Sequence, residues 1–162
     1  LTQARKDVTY TARLCTVDEY LGICQEYGVF PVVELKWAIG LNNNDMTLFP
    51  KLFALIEKHG LVEEAVILTS MQQSIEYIRE HYPQLQCQWL RHHVTTEDFA
   101  WCLEWGVKLS VNNSNFNSDI AQACQEANLL VAAWTINDQE RCKKMLDLGC
   151  YMITTDYLDI HQ

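Results

Sequence analysis

Segments with the apolar period of a strand alternate with segments of helical period along most of this 162-residue chain, and this alternation constrains the fold more than any other feature. The alternation begins at about residue 16 and continues almost to the last residue. The strand-like segments are short apolar runs, which are typical of parallel strands covered on both faces. The pattern therefore predicts an α/β fold with one parallel sheet.

Capping and termination signals set the bounds of the predicted elements. Thr16 and Glu19 form a capping-box pair, and Gly28 ends the helix that follows. Helices are predicted over about residues 17–27, 46–59, 72–81, 96–105, 118–127 and 139–149. Six strands are predicted, over about residues 29–35, 65–69, 85–90, 107–111, 129–134 and 151–154.

No proline-rich, glycine-rich or low-complexity linker interrupts this pattern. Residues 1–162 are therefore predicted to form a single domain, with residues 1–15 as an irregular lead-in. The repeat fits both a (β/α) barrel and an open doubly wound sheet, and periodicity alone does not separate them. No G-x-G-x-x-G sequence follows the first strand, which argues against a dinucleotide-binding site.

The acidic balance of the chain argues against a nucleic-acid partner. Its formal net charge is -9 and its pI is about 4.9, whereas nucleic-acid-binding domains usually carry a clustered basic surface. No apolar stretch approaches the roughly 20 residues that span a bilayer. The seven cysteines include no C-x-x-C pair, which predicts reduced core residues and a cytoplasmic location.

The first predicted strand carries a carboxylate and an ammonium on one face. Side chains alternate across a strand, so Glu34 and Lys36 point to one side while Val33 and Leu35 point to the other. Charged groups on a buried strand need a partner, a metal or a polar cavity, which predicts a site here. The alternative is a salt bridge inside a barrel that holds the strands in register without chemistry.

Three ordered motifs resemble the later part of a glycerophosphodiester phosphodiesterase, over roughly residues 16 to 160. They are the stretch from Thr16 to Lys36, the segment Trp134-Thr135-Ile136-Asn137-Asp138, and Leu148-Gly149 followed by Ile153-Thr154-Thr155-Asp156. The resemblance implies an incomplete (β/α) TIM barrel. It also implies an enzyme that hydrolyses glycerophosphodiesters, such as glycerophosphocholine, to an alcohol and glycerol 3-phosphate with a divalent cation.

The resemblance assigns roles to three residues. Glu34 matches a glutamate that binds the metal, for which Ca²⁺ or Mg²⁺ is expected because hard cations prefer carboxylate oxygen. Lys36 matches a lysine that faces the substrate phosphate, and Trp134 matches a tryptophan that borders the glycerol-side pocket, with barrel packing as its alternative role. Asn112, at a predicted strand end, is placed at the pocket mouth by position alone.

The segments that open the family's barrel do not occur in this sequence. They are a first strand ending in His-Arg, a second with Glu-x-Asp and a following His-Asp, which supply the two acid/base histidines and most metal ligands. The six predicted strands therefore correspond to the last six of eight. The five histidines lie at predicted helix ends, in a loop and at the terminus, so no catalytic residue is assigned. This chain alone is expected to be nearly inactive, with hydrolysis belonging to the intact parent enzyme.

Residues around the last strand receive structural roles. Asn137 and Asp138 are predicted to be turn and helix-cap residues, and Asp156 is predicted to bond the backbone together with Thr155. Met152 stands where the family usually has glycine, so it is expected to crowd the end of this strand.

Two other functions remain open from the sequence. One is a non-catalytic module that keeps the scaffold for binding or interaction, because an incomplete barrel leaves sheet edges that can pair with a second copy. The other is a different metal- or phosphate-using barrel enzyme. The partners expected from the first hypothesis are a glycerophosphodiester substrate and, through the open edges, a homo-oligomer.

Overall fold

A computed structural model of the protein describes residues 13–36 and 46–156. The strands are β1 (Val32–Leu35), β2 (Val66–Thr69), β3 (Gln86–Arg91), β4 (Lys108–Asn112), β5 (Val131–Trp134) and β6 (Met152–Ile153). The helices are α1 (Val17–Tyr27), α2 (Phe49–Lys58), α3 (Gln72–His81), α4 (Thr96–Trp105), α5 (Ser118–Glu126) and α6 (Gln139–Asp147). A short 3₁₀ helix over Asn113–Asn115, which the sequence did not predict, follows β4.

All six strands pair in parallel, in the order in which they occur along the chain. In a doubly wound sheet the spatial order of the strands would reverse at a switch point. The sequential order decides between the two architectures that periodicity left open, and it favours the barrel. The prediction of an α/β fold with six parallel strands is confirmed.

The sheet curls into an incomplete barrel. Gln88 on β3 donates a hydrogen bond of 2.5 Å to the hydroxyl of Tyr151, which directly precedes β6. Three strand spacings in a flat sheet would separate the two backbones by about 14 Å. The bond therefore crosses the hollow side of the curled sheet.

The two faces of the sheet differ in what they contact. Odd-numbered strand residues, among them Ile67, Leu109 and Ala133, belong to one apolar core with the helices. Even-numbered residues form the opposite side, called the inner face below. Leu21 of α1 and Ile56 of α2 have no exposed surface, and each contributes roughly 1.5–3 kcal/mol through burial.

Local signals explain where the helices start and stop. In α1 the Thr16 side chain accepts from the backbone N–H of Glu19, whose carboxylate accepts from the backbone N–H of Thr16. Gly28 ends the helix in the left-handed conformation, with φ of 62°. This conformation is strained for residues with a Cβ atom but not for glycine. The predicted bounds of this helix are confirmed.

Several predicted bounds were too wide. Helix α2 begins at Phe49 rather than near Met46, with Pro50 in its first turn, a position that proline favours. Strand β1 begins at Val32 rather than near Val29, and Pro31, directly before it, has no N–H but accepts from the Val66 backbone N–H at 2.9 Å. Residues 1–12 of the predicted lead-in lie outside the described residues. The single-domain assignment stays a prediction.

No helix within residues 13–36 and 46–156 is long and apolar enough to cross a membrane.

Candidate active site

Glu34 and Lys36 lie at the end of β1 and form an ion pair with each other. Lys36 Nζ is 3.3 Å from Glu34 Oε2, and the two side chains are 76% (Lys36) and 38% (Glu34) exposed. Val33 and Leu35 pack against the core instead, so the predicted division of the strand into a charged and an apolar face is confirmed.

The prediction that this strand is buried is wrong. Strand β1 pairs only with β2 among the described residues, so it forms an edge of the sheet and Val32 and Glu34 are exposed. An ion pair this exposed contributes at most about 1 kcal/mol to stability. It does not hold strands together, and both charged groups can be reached from solvent.

A second group of side chains meets at the ends of β3, β4 and β5. The register pairs Asn112 with Trp134, and it pairs Arg91 with Val111. His92, one residue beyond Arg91, therefore stands level with Asn112 on the inner face. The His92 and Trp134 rings are 4.9 Å apart between centroids and 85° apart between planes.

The sequence predicts a loop at His92 and therefore no role for this residue. A signal was nevertheless present. His92 continues the even-numbered set of β3 that includes Gln88 and Leu90, and this set faces the inner side. A residue directly after a parallel strand also belongs to the edge where barrel sites form.

Hydrogen bonds from β4 and α6 fix the backbone around Trp134. The Asn113 amide donates to the carbonyl oxygens of Trp134 (3.2 Å) and Thr135 (2.9 Å). Arg141 of α6 in turn donates through Nε to Asn113 Oδ1 at 3.0 Å and through Nη2 to the Asn113 carbonyl oxygen. The peptide bond between Trp134 and Thr135 is cis. Asn113 and Arg141 thus position the residue that the sequence placed in the pocket.

Hydrogen-bonding groups at this mouth lack partners among the described residues. Trp134 Nε1 is fully buried and has no acceptor. Asn112 Oδ1 accepts from the Ser114 backbone N–H, and its amide nitrogen donates to no described residue. Leaving a buried donor such as the Trp134 indole N–H unpaired costs about 1–3 kcal/mol, whereas the Asn112 amide remains available to an oxygen acceptor.

The structural role predicted for the segment after Trp134 is confirmed, but the Thr155 and Asp156 side chains bond the side chain of Asn137 and not the predicted backbone groups. Asp138 Oδ1 accepts from the backbone N–H of Arg141 and caps α6. Asn137 donates to Asp156 Oδ2 at 2.8 Å, and its own Oδ1 accepts from the Asp156 backbone N–H and the Thr155 hydroxyl. These bonds join the β5 and β6 ends of the sheet.

The floor of the inner face is polar and filled. Gln88 is 1% exposed and contacts Met152 Sδ at 3.4 Å in addition to the Tyr151 hydroxyl. Lys108 Nζ donates to Gln86 at 2.5 Å and lies 5.1 Å from the centre of the Tyr151 ring. Access to the site is therefore from the mouth, where the strands end.

The described residues do not by themselves form a complete metal site. No group of three or more His, Cys, Asp or Glu side chains within the described ranges could hold a metal ion. Glu34 supplies one carboxylate, which is the right kind of ligand for a hard cation. It fits as one member of a ligand set completed by other groups.

Six of the seven cysteines are core residues, as predicted, whereas the prediction is wrong for Cys15. All seven are free, and six are buried, while Cys15 is exposed. Burial raises the pKa of Cys87 to about 11 and that of Cys102 to about 12. A thiol must ionise to attack, so these groups are inert near neutral pH.

Comparison with solved structures supports the fold. A Silicibacter pomeroyi protein assigned as a glycerophosphoryl diester phosphodiesterase matches with a TM-score of 0.76 and 18% identity, over 87% of this chain and 52% of that one. An Oleispira antarctica phosphodiesterase in complex with the product sn-glycerol-3-phosphate matches with a TM-score of 0.75 and 17% identity. The match covers 86% of this chain and 56% of that one. A glycerophosphodiester phosphodiesterase from Parabacteroides distasonis matches with a TM-score of 0.71 and 16% identity. The match covers 86% of this chain and 59% of that one.

These matches also set the scale of the chain, which spans between 52% and 59% of the length of the three structures. No curated protein sequence matches it. The model of the glycerophosphoryl diester phosphodiesterase family matches residues 9–160. With that match over nearly its whole length and a curled parallel sheet of the same fold, the chain belongs to the glycerophosphoryl diester phosphodiesterase family.

Proposed function

We propose that this chain is part of an enzyme that hydrolyses glycerophosphodiesters to an alcohol and glycerol 3-phosphate with the help of a divalent cation. Family membership supports the reaction class. The product bound to the Oleispira antarctica relative supports glycerol 3-phosphate as the product here. Because the chain spans little more than half of these relatives, the activity is assigned to the intact enzyme.

The observation that carries this proposal is the placement of Glu34 and Lys36. Both are exposed on the inner face at the end of β1, the same face that carries Asn112 and Trp134 at the ends of β4 and β5. Sites of (β/α) barrels lie at this edge of the sheet. The Glu34–Lys36 pair is loose enough to exchange its partners for a ligand.

Each residue has a distinct task in this proposal. Glu34 is one carboxylate ligand of a Ca²⁺ or Mg²⁺ ion, whose remaining ligands come from outside the described residues. When bound, the cation offsets negative charge on the phosphoryl oxygens. The Lys36 ammonium attracts the same phosphate and stabilises charge that builds up there. Trp134 and Asn112 line the pocket for the substrate.

The experiment is an assay of this chain with glycerophosphocholine and Ca²⁺ or Mg²⁺. We expect nearly no turnover, because the sequence lacks the family's acid/base histidines and such catalysis typically contributes about 10²–10⁴-fold. The intact enzyme should release glycerol 3-phosphate, and chelation of the cation should abolish that release. Fast turnover by this chain alone would refute its incompleteness, and metal-independent turnover by the intact enzyme would refute the cation requirement.

A second candidate function is a binding or interaction module that closes its open sheet edge with another copy of itself. Tyr27 and Phe30, just before β1, are 70% and 69% exposed, and Val29 and Val32 beside them are exposed as well. Large apolar side chains beside an edge strand favour association. A reducing, cytoplasmic location is proposed for either function, since the cysteines are free.

A further inference from the structure

Three adjacent strands place three different polar groups at one level of the inner face. His92 follows β3, Asn112 ends β4 and Trp134 ends β5. The register joins Asn112 to Trp134, and the ring contact joins His92 to Trp134. The three residues are far apart in the sequence, and parallel pairing alone brings them together.

Each of these three side chains has a hydrogen-bonding group without a partner among the described residues. Asn112 Oδ1 accepts from the Ser114 backbone N–H, and the Asn112 amide N–H groups donate to no described residue. Trp134 Nε1 has no acceptor among the described residues. The His92 ring contacts Trp134 edge-on, and no described residue forms a hydrogen bond with its ring nitrogens. The unused Asn112 amide and the exposed imidazole are suited to a ligand rich in oxygen acceptors.

The backbone around this mouth is held more firmly than an ordinary loop. Asn115 donates to the carbonyl oxygen of His92 at 2.8 Å, and Asn113 holds the carbonyl of Trp134. Both amides come from the 3₁₀ helix after β4. The helix therefore ties the backbones of His92 and Trp134 to one short segment.

We propose that His92 is a specificity-determining residue of the substrate pocket, where its imidazole and the Asn112 amide bind oxygen atoms of a glycerol phosphate group packed against Trp134. The inference rests on the proposed function, since it concerns the same pocket. It assigns to His92 a binding role that does not depend on the metal or on Glu34.

The test measures binding of small-molecule probes to the full 162-residue chain, without metal and in the presence of a chelator. Tryptophan fluorescence reports the binding. The probes are sn-glycerol 3-phosphate, glycerol and inorganic phosphate, which separate contacts to the hydroxyls from contacts to the phosphate. His92→Ala should weaken binding of glycerol 3-phosphate about fivefold to tenfold, the effect of one lost hydrogen bond. His92→Gln, which keeps a polar group, should recover part of that loss.

His93 provides a matched control because it is the next residue, is also exposed and, unlike His92, forms no ring contact with Trp134 in the described structure. His93→Ala should bind as the unaltered chain does, and Trp134→Phe should remove the fluorescence response. Equal binding by the His92 and His93 variants, or no binding by the unaltered chain at millimolar probe, would overturn the inference. Hydrolysis is measured on the intact enzyme and His92-dependent binding on this chain without metal, so failure of the proposed function and failure of this inference are separate outcomes.

Discussion

The imidazole of His92 meets the indole of Trp134 edge to face, with 4.9 Å between ring centroids. This contact links the ends of β3 and β5, which are separated by β4. It shows that the described part of the barrel already has a formed mouth with aromatic and polar walls.

The first prediction concerns Asn113, which holds the Trp134 backbone. Asn113→Ala removes its bonds to the carbonyls of Trp134 and Thr135 and leaves the Arg141 guanidinium without its acceptor side chain. We expect a loss of about 1–3 kcal/mol in the free energy of unfolding, measured by urea denaturation. Ser114→Ala, at the exposed neighbouring position, should cost far less. Equal costs for the two variants would contradict the positioning role of Asn113.

Two glycines of α1 and its end make a matched pair. Gly28 has φ of 62° and nothing lies near the position of an added Cβ, so Gly28→Ala should destabilise by about 1–2 kcal/mol through backbone strain alone. Gly22 lies inside the helix, where an added Cβ would make ordinary contact at 3.5 Å with His59. Gly22→Ala should therefore stabilise by up to about 1 kcal/mol. In thermal unfolding, the melting temperature should fall for Gly28→Ala and rise for Gly22→Ala.

The pH dependence of stability depends on Glu19. The Arg13 guanidinium and the Thr16 backbone N–H lower the pKa of this carboxyl to about 2. The pKa is lower in the folded chain than in the unfolded one, so the stabilisation is present above the unfolded pKa and is lost as pH falls toward 2. Glu19→Gln should flatten the decline of the melting temperature between pH 4.5 and pH 2.

Glu26→Gln, an exposed change on the same helix, serves as the comparison for that measurement. It should leave the slope of melting temperature against pH nearly unchanged. A Glu26 variant that flattens the decline as much as the Glu19 variant would show that net charge, and not the capping carboxylate, controls acid stability.

Self-association is expected to depend on the apolar residues beside β1. Light scattering with size-exclusion chromatography should detect a dimer or larger species at high protein concentration. Phe30→Lys should shift the population toward monomer, because an ammonium at an open edge opposes pairing. Leu103→Lys on α4, also an exposed apolar position, should leave the distribution unchanged. A clean monomer at all concentrations would reject association through this edge.

Local features of the fold followed from the sequence because they depend on neighbours in the chain. The Thr16–Glu19 capping box and the helix end at Gly28 are formed by residues a few positions apart. The charged face of β1 also followed, since side-chain alternation is a property of any strand. These signals were sufficient for six strands in parallel order.

Features that depend on distant residues did not follow from the sequence. The exposure of Glu34 and Lys36 depends on β1 being an edge strand, which no local pattern reveals. The contact between His92 and Trp134 depends on the register across three strands. The filling of the inner floor by Tyr151 depends on the curl of the sheet. In each case the pairing of remote segments decides the environment of the side chain.

In the proposed reaction, Glu34 and Lys36 act on a glycerophosphodiester at the mouth of the barrel. The most direct measurement is the rate of glycerol 3-phosphate release from glycerophosphocholine by the intact enzyme carrying Glu34→Gln, compared with Glu104→Gln on the exposed side of α4. We predict a loss of at least about 100-fold for the Glu34 variant, as for removal of one electrostatic stabiliser, and no change for the Glu104 variant. A Glu34 variant that keeps the full rate would contradict the account.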